Sequence, residues 1–225
     1  MSSLPIPASA TAWWNLFELF LFFAVIAGGI VLGIMVFFIA KYRYREGKPE
    51  NQILKSESRH RVREAILLAM LSGILLFSLT IVSYRVAYAD RYPPLAYSQN
   101  AASLNIQVTA FQWDFSFKYP NNVTTLGECR VPSGSTVLFN VTSTDVFHNF
   151  GLPDFKLKID AIPGMHNTLW ITAPQVGVNS TVSYPIMCYE LCGDGHTFMH
   201  ATLIVMDPDS FNTWLTQAGA NQTGA

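Results

Sequence analysis

The sequence predicts an α+β membrane protein, in which an N-terminal two-helix transmembrane hairpin is followed by an extracytoplasmic all-β sandwich. Half of the 225 residues are hydrophobic and only 13% are charged. Two long apolar stretches lie near the N-terminus, and the second half contains short stretches of alternating apolar residues divided by Gly, Pro, Asn and Ser, which predict antiparallel strands. We therefore expect a membrane part at residues 1–95, an outer domain at residues 96–210 and a polar tail at residues 211–225.

The membrane part contains two predicted spans, at about residues 13–40 and 64–88. Glu18 is the one ionisable residue from Trp13 to Ala40, and there is none from Ala65 to Ser83. Each stretch is long enough for a spanning helix of about 20 residues. Aromatic residues flank both spans, as in the belts at membrane interfaces, which argues against the buried helices of a soluble protein. These flanking residues are Trp13, Trp14, Tyr42, Tyr44, Tyr84, Tyr88 and Tyr92.

The loop between the spans is basic, whereas the first forty residues contain no Lys or Arg. By the positive-inside rule this loop is cytoplasmic, so both termini and the outer domain lie outside. Its charges flank membrane spans and no nucleic-acid-binding fold accompanies them, so we expect membrane lipid and no nucleic acid as a partner. No basic n-region or small-residue cleavage site precedes the first span, which is expected to be a retained anchor.

Residues 188–200 place two cysteines, a histidine and a methionine in one short loop: Cys188, Cys192, His196 and Met199. Soft sulfur and nitrogen ligands favour copper, and a mononuclear blue-copper site uses only one cysteine. The second cysteine therefore suggests two coppers bridged by two sulfurs. A disulfide, or a zinc site completed by His148, remains open at this point, although a thioether suits copper better than zinc.

Together with His148 in residues 143–153, with residues 160–164 and with the pair Gln112 and Trp113, this loop resembles subunit II of the haem-copper cytochrome c oxidases. The resemblance implies that the outer domain is a cupredoxin-type Greek-key sandwich. It also implies that the domain carries the binuclear copper centre called CuA. The alternating runs in residues 104–110 and 137–141 agree with such a sandwich.

By this resemblance, the thiolates of Cys188 and Cys192 both bridge the two copper ions. His148 and Met199 complete one copper, while His196 and the main-chain carbonyl of Glu190 complete the other. The resemblance further implies that the Glu190 carboxylate reaches a Mg²⁺ or Mn²⁺ ion at the interface with subunit I, since hard cations prefer oxygen ligands.

Two further residues receive roles from the resemblance. Trp113, in the Gln-Trp pair, corresponds to the point where electrons enter from the donor, although an aromatic residue on a strand is most simply core packing. Glu64 corresponds in position to the acid at the mouth of a proton path. Glu18 and His200 receive no defined role, and Cys129 is expected to be a buried small apolar residue.

The function implied is that of the electron-accepting subunit of a respiratory terminal oxidase. Cytochrome c or a small blue-copper protein would donate electrons outside an energy-transducing membrane, expected to be a prokaryotic plasma membrane. Subunit I would then use them at haem to reduce dioxygen to water, coupled to proton translocation. The alternatives are a membrane-anchored copper-delivery or assembly protein, the CuA subunit of a nitric oxide reductase, and a structural zinc domain.

The outer half of the chain also contains Asn-x-Ser/Thr sequons, which are acceptor sequences for N-glycosylation. Such short motifs arise by chance, and the sequence alone does not decide which of them is used. They begin at Asn122, Asn140, Asn179 and Asn221.

Overall fold

A computed structural model describes residues 5–43, 58–91 and 103–223. By its contacts the chain divides into two compact units, one formed by Trp14–Ala87 and the other by Met1–Trp13 together with Tyr88–Ala225. Most of the predicted basic loop, and the predicted boundary between residues 95 and 96, lie outside the described residues.

The first unit contains most of two long helices, α1 at Ala8–Tyr42 and α2 at Ser58–Arg91, whose outermost residues belong to the second unit. Both are long and apolar enough to cross a membrane, and their apolar side chains are largely exposed. Hydroxyl groups in α2 donate to backbone carbonyls within the helix, as from Thr80 to Leu76. Such internal hydrogen bonds satisfy these hydroxyl groups where no water is present in the lipid. The predicted spans lie inside these helices, which continue past the apolar runs at both ends.

The second unit is a β-sandwich, as predicted. Its strands are β1 at Ser103–Phe111, β2 at Asp114–Lys118, β3 at Thr124–Leu126, β4 at Glu128–Pro132, β5 at Thr136–Ser143, β6 at His148–Leu152, β7 at Leu157–Ala161, β8 at Asn167–Thr172, β9 at Thr181–Met187 and β10 at His200–Met206. One five-stranded sheet has the order β3-β2-β1-β5-β8, and the other has the order β4-β10-β9-β6-β7.

Each sheet contains one parallel pair, where the sequence indicated antiparallel strands. β1 pairs in parallel with β5, and β4 pairs in parallel with β10. The reason is that the chain leaves the first sheet after β3, forms β4 in the second sheet, and returns as β5 from the end at which β1 began. A parallel pair requires such a crossover connection.

The core lies between the two sheets because successive side chains along a strand point to opposite faces. In β5, every second residue from Val137 to Ser143 is buried. The Phe150 ring from the second sheet contacts Phe115 and Phe139 of the first, with ring centroids 5.7 and 5.2 Å apart. Cys129 is fully buried with a free thiol, as expected.

The N-terminal residues of this unit pack against the sandwich. The Tyr184 hydroxyl donates a hydrogen bond to the Pro5 carbonyl at 2.8 Å. The Ser9 hydroxyl donates to the carbonyl of Phe155 at 2.7 Å, at the end of a 3-10 turn at Pro153–Phe155. These contacts attach the start of the chain to the β6–β7 side of the sandwich.

The polar tail expected at residues 211–225 lies largely within a helix, α3, at Pro208–Thr223. Asp207 accepts a hydrogen bond from the Ser210 backbone N–H at 3.2 Å, and therefore caps the helix N-terminus. The Asp-Pro sequence at residues 207–208 is a recognised helix start. Phe211 and Trp214 then pack against Tyr119, with ring centroids 6.4 and 5.2 Å away.

We expect Phe211→Ala to destabilise the outer domain, because Phe211 is buried between α3 and the sandwich. Removing a buried phenylalanine ring typically costs about 3–5 kcal/mol. The measurement is a thermal melt of the detergent-solubilised chain, followed by near-ultraviolet circular dichroism. Thr213→Ala, on the exposed side of α3, serves as the matched control. Equal melting temperatures for the two variants would show that α3 is not part of the cooperative fold.

Candidate metal centre

The predicted ligands meet at one end of the sandwich. His148 is the first residue of β6, and residues 188–199 form the loop from β9 to β10. These two strands are antiparallel neighbours, and Met187 pairs with His200. The backbone N–H of Cys188 donates to the Met199 carbonyl at 3.2 Å, which closes the base of the loop. The two ends of the loop are therefore fixed by the sheet itself.

The sulfur atoms of Cys188 and Cys192 lie 3.8 Å apart and form no disulfide. Cys188 Sγ is 4.0 Å from His148 Nδ1, and Cys192 Sγ is 3.5 Å from His196 Nδ1. Met199 Sδ is 3.7 Å from Cys192 Sγ. The structure thus brings all five predicted side-chain ligands together, and His148, both cysteines and Met199 are buried.

Glu190 turns its main chain toward the cluster, with its carbonyl oxygen 3.3 Å from Cys188 Sγ. Its carboxylate-bearing side chain is exposed. The carbonyl is therefore placed for a metal in the cluster, while the carboxylate faces outward. Glu64 belongs to α2, in the other compact unit.

Asp145 fixes the orientation of the His148 ring, and sequence reasoning did not assign it a role. Its Oδ1 is 2.8 Å from His148 Nε2, which leaves Nδ1 facing the thiols. The carboxylate also accepts hydrogen bonds from the backbone N–H groups of Gln112 and Val146, each at 2.6 Å. A carboxylate that orients a metal-binding histidine in this way is a common feature of metal sites. The sequence signal that could have identified Asp145 is its position three residues before the candidate ligand His148.

These contacts also affect the pKa values at the site. Partial burial of Asp145 acts to raise its pKa, but the hydrogen bonds from His148, Gln112 and Val146 prevail and lower it to about 2. The carboxylate therefore stays ionised at neutral pH. Burial, and then the neighbouring Cys188, raise the pKa of the Cys192 thiol. That thiol is consequently protonated without a metal, and a metal must displace its proton.

Trp113 lies in the turn between β1 and β2, beside the candidate metal loop, and is not part of the core. Its side chain is 42% exposed, and its indole Nε1–H donates to the Cys192 carbonyl at 3.2 Å. The Gln112 side-chain amide donates to the same oxygen at 2.7 Å. A Cβ atom at Gly195 would lie 2.6 Å from the Trp113 Cγ atom, so only glycine permits this close approach. The indole is therefore held directly against the candidate metal loop.

The donor set fits copper better than zinc. Two thiols, a thioether and two imidazoles form a soft set with one sulfur more than a mononuclear blue-copper site uses. A structural zinc site takes four ligands from Cys, His or carboxylate and has no use for a buried thioether. The buried Met199 sulfur beside Cys192 is thus the observation that favours copper.

Comparison with known proteins gives the family. The sequence model described as cytochrome c oxidase subunit II, periplasmic domain, matches residues 127–206. The heme-copper oxidase subunit 2 of Aeropyrum pernix is 35% identical over 218 residues, which cover 92% of this chain and 89% of that protein. The chain belongs to the family of haem-copper oxidase subunit II. The predicted family and the predicted fold class are thereby confirmed.

Other relatives of this subunit II match over a smaller share of this chain or of their own length. The cytochrome c oxidase subunit 2 of Thermostichus vulcanus is 39% identical over 123 residues, which cover 55% of this chain and 36% of that protein. That of Alkalihalophilus pseudofirmus is 29% identical over 93% of this chain and 60% of its own length. A solved periplasmic domain of subunit II from Bradyrhizobium japonicum is 32% identical, with a TM-score of 0.49, and covers 54% of this chain and 97% of that domain.

Family membership fixes the general character of the protein. It is a subunit of a haem-copper oxidase, an oxidoreductase complex, with two apolar helices and a cupredoxin-like outer domain. The family implies copper binding, and the described residues contain a matching cluster of His148, Cys188 and Cys192. It also implies subunit I as a partner and an extracytoplasmic position for the outer domain.

Proposed function

We propose that this subunit II accepts electrons outside the membrane at a binuclear CuA centre and passes them to haem in subunit I. The observation that carries the proposal is the convergence of two free thiols, two imidazoles and a thioether at one end of the sandwich. When bound there, two copper ions would supply one-electron oxidation and reduction. Dioxygen reduction to water, coupled to proton translocation, belongs to subunit I.

The thiolates of Cys188 and Cys192 would both hold the copper ions, because each sulfur lies beside the other and beside a histidine. His148 and Met199 would complete one copper. His196 and the Glu190 carbonyl would complete the other. The role of the chain is to hold these groups in a loop whose ends are closed by β9 and β10 and whose sulfur-bearing side chains are buried. A rigid and largely dry site limits the rearrangement of ligands and solvent when an electron arrives.

Asp145 and the loss of a thiol proton also contribute to copper binding. The Asp145 carboxylate accepts the hydrogen on His148 Nε2, so Nδ1 is left with a lone pair toward the thiols. The Cys192 thiol proton would leave when copper binds, so copper affinity rises with pH in the range where this thiol is protonated. The charge of the two thiolates then offsets the charge of the metals.

The electron donor would approach at Trp113. Leu191 and Phe198, on the adjacent loop between β9 and β10, are 78% and 76% exposed. The charged residues from Cys188 to His200 are Glu190 and Asp194, with no Lys or Arg among them. An apolar surface with acids beside it suits a donor whose own apolar contact area is flanked by basic residues. Cytochrome c and a small blue-copper protein are both candidates of this kind.

The remaining assignments follow the family resemblance. The exposed Glu190 carboxylate is proposed to reach a Mg²⁺ or Mn²⁺ ion at the subunit I interface. Glu64, near the start of α2, is proposed to stand at the mouth of a proton path. The membrane is proposed to be an energy-transducing one, the prokaryotic plasma membrane, with both termini outside. The basic residues Lys41, Arg43 and Arg63 at the inner ends of the helices support this orientation.

The test is copper titration of the purified full-length chain after reduction. We expect two coppers per chain, a purple colour, proton release during loading, and an electron paramagnetic resonance spectrum in which one unpaired electron is shared by two copper nuclei. A mononuclear blue-copper spectrum, or tighter binding of a single zinc, would refute the proposal. A copper-delivery protein would instead lose its copper quickly to a chelator, because such proteins need exchangeable ligands.

A further inference from the structure

The sequon at Asn179 lies in the loop that joins β8 to β9, far from the candidate metal centre. Asn179 and Ser180 are exposed, and so is Thr181, the hydroxyl residue of the sequon. Cys188 follows the other end of β9, so the length of this strand separates it from Asn179. At about 3.3 Å per residue, the separation along the strand is about 25 Å. A group attached at Asn179 would therefore leave the metal loop and Trp113 uncovered.

We propose that Asn179 is N-glycosylated, and that the first sugar residues of the glycan pack into the cavity beside this loop. The proposal goes beyond the electron-transfer function and needs only the extracytoplasmic position of the outer domain. The transfer joins the Asn179 side-chain nitrogen to C1 of a sugar carried on a lipid phosphate. The bond between C1 and the phosphate oxygen breaks, the lipid phosphate leaves, and a proton from the amide nitrogen passes to the transferase. No oxidation or reduction is involved.

The other sequons are in less suitable surroundings. Asn140 is in β5, between β1 and β8, and its side-chain oxygen is buried. Asn122 is exposed, but Thr124 of its sequon exchanges two backbone hydrogen bonds with the Gln222 side chain, at 3.0 and 2.8 Å. Asn221 adjoins that same glutamine on α3. Bulky glycans require open surface positions, and the loop at Asn179 meets this condition best.

Turn geometry explains the asparagine itself but not the complete sequon. Asn179 has a φ of 54°, a left-handed conformation that asparagine tolerates better than most residues. The turn alone would therefore select asparagine or glycine at this position. It does not call for a hydroxyl residue at Thr181, which is exposed at the start of β9. Thr181 is for that reason the residue that distinguishes a glycan acceptor from an ordinary turn.

Two neighbouring features offer a surface that the first sugars of a glycan could contact. Val178, immediately before Asn179, is 85% exposed, a higher value than for the other exposed large hydrophobic residues in the described chain. Val178 also lines a cavity of about 600 Å³, together with Gln175, Ser133 and Asp207. A volume of this size falls within the range of small-ligand pockets, about 300–1,000 Å³.

Asp207 connects the sequon loop to the cavity. Its backbone N–H donates to the Ser180 carbonyl at 3.3 Å, so it lies directly beside the sequon. Its Oδ1 atom caps α3, and the backbone N–H groups of Asn179 and Asp209 also interact with its carboxylate. The Phe211 ring also lines the cavity and would face the apolar side of a sugar ring.

The test is peptide mass mapping of the protein purified from its own membranes. Cleavage after Trp170 and Tyr189 releases residues 171–189, which contain Asn179 and no other sequon, because Pro185 blocks cleavage after Tyr184. We expect this peptide to carry the added mass of an oligosaccharide. Residues 140–147, released by cleavage after Phe139 and Phe147, are expected to be unmodified. An unmodified peptide 171–189 in the native protein would overturn the proposal.

Variants expressed in the same host separate the glycan from the turn. Thr181→Ala keeps Asn179 but should remove the added mass, whereas Thr181→Ser should retain it. A mass that persists in Thr181→Ala would show a different modification. Hydrogen–deuterium exchange tests the cavity: residues 133–135 and 209–212 should exchange more slowly in the native protein than in Thr181→Ala. Equal exchange in the two proteins would overturn the packing of the sugars in the cavity.

Discussion

Replacing Cys192 with serine is expected to abolish the binuclear centre. Cys192 is buried, and its sulfur lies within 3.8 Å of Cys188, His196 and Met199. Serine provides a hard oxygen that does not bridge two coppers, so copper content should fall from two ions per chain to one or none. Metal analysis and the shared-electron resonance spectrum measure the change. Electron transfer from the donor should fall to background.

Two other variants make this result specific. Cys129→Ala removes the third cysteine, which is buried outside the cluster, and should leave both coppers and their spectrum unchanged. Met199→Leu should retain two coppers but change their reduction potential, because an axial thioether tunes a copper site more than it holds the metal. If Met199→Leu and Cys192→Ser lose copper equally, Met199 is a structural ligand and our ranking of the ligands is wrong.

Displacing Trp113 is expected to slow electron transfer from the donor without removing copper. Trp113→Leu takes away the exposed indole that donates to the Cys192 carbonyl. Gly195→Ala achieves a similar displacement without altering Trp113, because the new methyl group would collide with the ring. We expect each variant to slow donor oxidation by about tenfold or more, equivalent to a barrier increase of about 1.4 kcal/mol. Stopped-flow kinetics with the native donor measures the rate.

The controls separate electron transfer from packing. Gly177→Ala adds a methyl group in the β8–β9 loop, where the nearest atom would be 3.4 Å away, and should leave the rate unchanged. Copper content and the melting temperature should be near wild type in both test variants. A core role for Trp113 would instead cost several kcal/mol and release copper. Unchanged kinetics in a folded, copper-loaded Trp113→Leu would remove this residue from the electron pathway.

The sequence was informative where function depends on local spacing. The loop from Cys188 to Met199 contains four of the five predicted side-chain metal ligands. The length of the two apolar stretches alone indicated the two helices. Asp145 was not assigned, because its role depends on contacts with Gln112, 33 residues away, as well as with nearby His148. Helix α3 was missed because its composition is polar, and only the packing of Phe211 and Trp214 on Tyr119 reveals its buried face.

Gln112 connects the surface where a donor would arrive to both halves of the candidate centre. Its side chain donates to the Cys192 carbonyl, and its backbone N–H donates to Asp145, which holds His148. Thermodynamic coupling between two events is reciprocal. If the charge of the centre alters the position of Gln112, donor affinity changes with it, and docking changes the reduction potential by the same free energy. A tenfold preference of the donor for the oxidised centre would correspond to about 59 mV, and it would favour release of the donor once its electron has been delivered.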